Sequence, residues 1–73
     1  MPDANEIRAL QASLLGALDT AAALETIKSK VMAIDADTDL ADGDWEELGR
    51  LTLAHAVASQ ALRGLVEAMR ARR

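Results

Sequence analysis

The residues of this chain best equipped for chemistry are acidic and crowd into one short segment. Asp35, Asp37, Asp39 and Glu46 fall at positions 1, 3, 5 and 12 of a twelve-residue calcium-binding loop between two helices, where their carboxylates would supply hard oxygen ligands. Two positions break that pattern. Leu40 stands where the sharp turn of such a loop needs glycine, and Asp42 stands where an aliphatic residue is usual. An acidic, solvated connection is therefore the plainer reading, with calcium responsiveness as an alternative.

His55 is the only histidine. A catalytic histidine wants a nucleophile beside it and a carboxylate to orient it. Ser59 lies one turn away and Thr52 nearly so, but no acid lies within a turn. His55 thus reads as a partly buried side chain bonded to a helix carbonyl or across an assembly. One histidine with no cysteine cannot make a zinc site within one chain. There is no phosphate-binding glycine loop, no paired-carboxylate cleft and no nucleophile motif, so neither an enzyme nor a cofactor is expected.

The elements that position these residues follow from apolar spacing. One heptad stripe runs Ile7, Leu10, Leu14, Ala17, Ala21, Leu24, Lys28, Val31; a second runs Leu48, Leu51, His55, Ala58, Leu62, Leu65, Met69, Arg72. Folded about the acidic segment they oppose each other, Ile7 to Arg72, Leu10 to Met69, Leu14 to Leu65, Val31 to Leu48. Lys28 then falls opposite Leu51, and His55 opposite Leu24. The expected fold is all-α: a single antiparallel helical hairpin, dimerising into a four-helix bundle, with helices over about 4–34 and 45–71 and an acidic loop over about 35–44. Asp3 and Glu6, with Pro2 just outside, have capping-box spacing, as do Asp44 and Glu47. A break at Gly16, Gly49 or Gly64 would give a compact three-helix alternative. Without a break, Gly16 and Gly64 suggest close helix contact.

Composition argues for a second chain. At 73 residues without cysteine, the protein has little core and no disulfide. Sixteen residues are alanine, which favours helix but buries little area. Large apolar residues lie beside the stripes: Leu15, Leu18, Ile27, Leu53, Val57 and Val66 form a candidate interface, joined by Trp45, the only aromatic residue. Trp45 with Ile34 and Leu40 is expected to close the loop end of the core.

Charge is polarised. Residues 35–47 hold seven acids and no base, whereas residues 48–73 hold five arginines and one acid, Glu67. A dimer with its chains antiparallel would set each acidic loop beside the other chain's arginine-rich end. The net charge of −4 and the near absence of aromatics argue against nucleic acid. No apolar run approaches the ~20 residues of a membrane span, and Met1-Pro2-Asp3 lacks a leader-like pattern, so a cytoplasmic location is expected. The sequence is consistent with a small non-enzymatic protein-interaction module acting through an apolar helical face and self-association, its partner a second copy or another protein of unidentified kind. Alternatives are an acidic inhibitor that occludes a basic nucleic-acid-binding surface, as phage-type or antitoxin-type proteins do, and the calcium-responsive hairpin.

Overall fold

A computed structural model describes residues 3–72. They form two antiparallel α-helices, α1 (Ala4–Met32) and α2 (Asp42–Ala71), joined by residues 33–41. The hairpin is a rod with extents of 56 × 17 × 15 Å. Pro2, read as flanking the first cap, and Arg73, counted in the basic end, lie outside the described residues.

Asp3 caps α1 from an extended backbone, its Oδ1 accepting the Glu6 N–H at 2.8 Å. The Glu6 carboxylate turns to the far end of α2, where it pairs with Arg72. At the other end of the rod Lys30 Nζ meets Asp44 Oδ1 at 3.3 Å. One ion pair therefore ties the helices near each end, and both are largely solvated.

The start of α2 differs from the sequence expectation. Helix begins at Asp42, three residues before Trp45, and Ala41 is the N-cap with no side-chain bond. Asp44 is inside the first turn, its N–H donating to the Ala41 carbonyl at 2.9 Å, so the second capping box does not form. Leu40 explains the early start: it is buried, which draws the chain into the seam just before the helix begins. Asp42 and Asp44 still place negative charge at the positive end of the helix dipole.

The seam of α2 follows its predicted stripe. Leu51 is buried, and Leu48, His55, Ala58, Leu62, Leu65 and Met69 are half-buried; Arg72 is exposed. The seam of α1 is turned. Leu10, Ala17, Leu24 and Val31 face α2 as expected, but their companions are Ser13, Thr20, Ile27 and Ile34, while Ile7, Leu14, Ala21 and Lys28 are exposed. Exchanging one of two alternating positions for its neighbour rotates the stripe by about 50°, half the ~100° per residue of a helix. The rotation expels the Lys28 ammonium from the seam, where burial would be costly. It also inserts Ile27, which is 6% exposed and lies in the same stretch of seam as the equally buried Leu51. Ile27 is therefore core rather than interface.

Candidate interaction surface

At the middle of the seam lies a polar layer. Thr20 Oγ1 is 2.8 Å from His55 Nδ1, and Ser59 Oγ is 3.4 Å from His55 Nε2. Thr20 also lies within hydrogen-bonding distance of the Gly16 and Ala17 carbonyls. Hydroxyls both donate and accept, so the site serves either neutral tautomer: with Nδ1 protonated, His55 donates to Thr20 and accepts from Ser59, and with Nε2 protonated the roles reverse. Both ring nitrogens are matched by hydroxyls, with no carboxylate in the position that would orient a catalytic base. His55 faces Thr20, one turn before the predicted Leu24. Thr20 was missed because threonine does not register in an apolar stripe. Its heptad relation to Ile27 and Ile34 was the available signal.

Two of the loop carboxylates, Asp35 and Asp39, accept hydrogen bonds from within the loop and from Trp45. Asp35 Oδ1 accepts the N–H groups of Asp37 and Thr38 at 2.9 and 2.7 Å, while Asp35 N–H donates to the Thr38 carbonyl. These backbone donors hold the Asp35 carboxyl below the usual aspartate range. Asp39 Oδ1 accepts both the Leu40 N–H and the Trp45 indole N–H, the latter at 3.1 Å. Among the described residues no three His, Cys, Asp or Glu side chains gather as a metal-holding group, so Asp35, Asp37, Asp39 and Glu46 are not brought together. The seam end they flank is closed by buried Leu40 and half-buried Ile34, with Trp45 tethered across it yet 46% exposed. Farther along α2, a hydrogen bond from Arg50 lowers the Glu47 carboxyl pKa, and the same bond raises that of Arg50.

The apolar surface beyond the seam is extensive. Among the described residues only Ala17, Ile27, Leu40 and Leu51 form a buried core, whereas Ile7, Leu14, Leu15, Leu18, Met32, Trp45, Leu53 and Val57 are exposed. Val66 is half-buried at the seam margin. Helix spacing sorts the exposed set. Ile7, Leu14, Leu18 and Met32 follow one flank of α1, and Leu53 and Val57 lie on the side of α2 away from α1. A β-carbon added at Gly16 or Gly64 would meet nothing within 4 Å, so these glycines mark no close approach between α1 and α2, contrary to the sequence expectation.

Among the described residues no helix is long and apolar enough to cross a membrane. No protein-family profile, curated protein or solved structure matches this chain.

Proposed function

We propose that this chain is a non-enzymatic helical interaction module whose working form is self-associated, with its apolar helix flanks covered by a second copy. The observation that carries this reading is the excess of surface. The chain exposes 5588 Å², against about 4,400 Å² for an ordinary folded monomer of its 7.8 kDa mass. Its radius of gyration is 16.5 Å, against about 11 Å for a compact domain of this length. A rod one seam thick has more large apolar side chains outside than inside, which is the pattern of half a bundle rather than a finished one.

Unfolding coupled to dissociation makes the thermal midpoint rise with protein concentration, because mass action favours the associated state. Thermal melts over a hundredfold concentration range should therefore shift upward. A midpoint that does not move, in a chain that melts cooperatively, contradicts self-association as the source of stability.

A further inference from the structure

We infer that the second copy docks on one particular face, the side of the hairpin carrying Leu18 on α1 and Trp45 on α2, with its long axis reversed. This rests on the self-association proposed above and adds the face and the orientation. One feature of the rod favours that face, and a second favours the reversal.

The first is geometric. On α1 every residue from Ile7 to Met32 taken in alternate steps of four and three is exposed. On α2 the same steps from Trp45 to Arg70 meet only exposed or half-buried residues. At about 100° per residue, each row is turned roughly a quarter-turn from its own seam, and the antiparallel arrangement brings both rows to the same side of the rod. Any row with this spacing maps onto itself when reversed. What is particular here is the apolar content, since Ile7, Leu14, Leu18 and Met32 on α1 and Trp45 on α2 are five of the eight exposed large apolar residues. The row midpoints, between Leu18 and Ala21 on α1 and between Ala56 and Ser59 on α2, stand within about 3 Å of one level, judged from the Thr20–His55 bond and a rise of about 1.5 Å per residue. One two-fold axis through that level, perpendicular to the rod, therefore reverses both rows together. Leu18 then meets the second copy's Ala21, and Ile7 meets its Met32. Ala56 meets Ser59, so small residues let the two α2 helices approach closely. Arg70 comes over the half-exposed indole of the second copy's Trp45, a cation–π arrangement. No two like charges face each other along either row.

The second feature is electrostatic. Reversal places each loop segment 35–47, with seven acids and no base, beside the arginine-rich end of the other chain. With the chains parallel, the two acidic loops would share one end within about a Debye length of ~8 Å. The surplus surface is of the order that a dimer interface removes. Two free chains expose twice 5588 Å²; a folded protein of the combined mass exposes about 7,200 Å², so reaching ordinary surface requires about 3,900 Å² of total burial. That lies within the range of obligate homodimers.

The absence of cysteine permits a single spin label at an introduced Ala36→Cys, an exposed loop position. In the dimer the label-to-label distance should lie close to the 56 Å length of the rod; a short distance places the loops together and overturns the orientation. In parallel, Leu18→Lys should weaken dimerisation at least tenfold while Leu53→Lys, on the outer side of α2, leaves it unchanged. The reverse ranking overturns the face. Helicity at the working concentration shows that each variant folds, and the label measurement does not depend on either substitution. A parent chain that is monomeric at every concentration removes the self-association proposal itself, an outcome distinct from a dimer of the other orientation or face.

Discussion

The turned seam of α1 makes Ile27 and Lys28 adjacent residues with opposite roles, so a pair of alanine substitutions separates the structure from the simpler stripe. Ile27→Ala removes three carbons from a side chain that is 6% exposed. At about 0.8 kcal/mol per buried carbon the transfer loss is about 2.4 kcal/mol, to which the remaining cavity adds. The seam is one layer thick and can partly close, so the expected loss is about 2–3 kcal/mol. A chain of this length is typically stable by about 4–11 kcal/mol, so the loss is a large share of the whole. Lys28→Ala removes a side chain that is 63% exposed and paired only with Glu25, one turn away at 3.5 Å. Surface pairs of this kind contribute little and alanine is the better helix former, so stability should change by less than about 0.5 kcal/mol. Urea unfolding followed by circular dichroism, at one fixed protein concentration, measures both. The slope against urea should match the parent, so that midpoint shifts report stability. Equal losses at the two positions, or a larger loss at Lys28, would refute the seam described above.

Thr20→Val should cost about 1–2 kcal/mol, because it leaves His55 Nδ1 half-buried without its hydroxyl, and Thr20→Val with His55→Leu should recover most of that loss; a double variant as unstable as the single one contradicts the pairing. Gly64→Ala should stabilise the chain by about 0.5–1 kcal/mol in the same unfolding assay, since the added methyl meets open space within the hairpin. Asp35 should titrate, by carbon-detected NMR, below an unstructured aspartate. Its folded-state pKa is depressed by the Asp37 and Thr38 N–H groups, so its stabilising contribution is present above the ordinary carboxylate range and is lost as pH falls through the depressed value. Calcium should leave Trp45 emission unchanged, since among the described residues the loop carboxylates do not gather as a metal-holding group and one oxygen each of Asp35 and Asp39 is bonded to backbone and indole donors; a saturable change would revive the calcium-loop reading.

The hairpin and the α2 seam were legible in the sequence because leucine at heptad spacing leaves little choice of buried face. The α1 seam was less so. Two overlapping heptad rows share Leu10, Ala17, Leu24 and Val31, and alanine-rich helices distinguish them weakly. Lys28 on one row and Ile27 on the other decide the matter, once the cost of burying an ammonium is set against that of exposing an isoleucine. The start of α2 was misplaced because Asp44 and Glu47 have capping-box spacing, whereas burial of Leu40 fixes where the chain turns. The four calcium candidates had the right chemistry in one dimension. In three, Asp35 and Asp39 accept hydrogen bonds from their own loop and from Trp45, an outcome that residue spacing alone does not specify.

The most direct test of self-association is the mass of the intact chain in solution, measured by light scattering across micromolar concentrations at low and high salt. A mass of twice 7.8 kDa that persists in high salt is the predicted result, because apolar flanks rather than end charges supply most of the attraction. A mass of 7.8 kDa throughout, in a chain that remains helical, would contradict it.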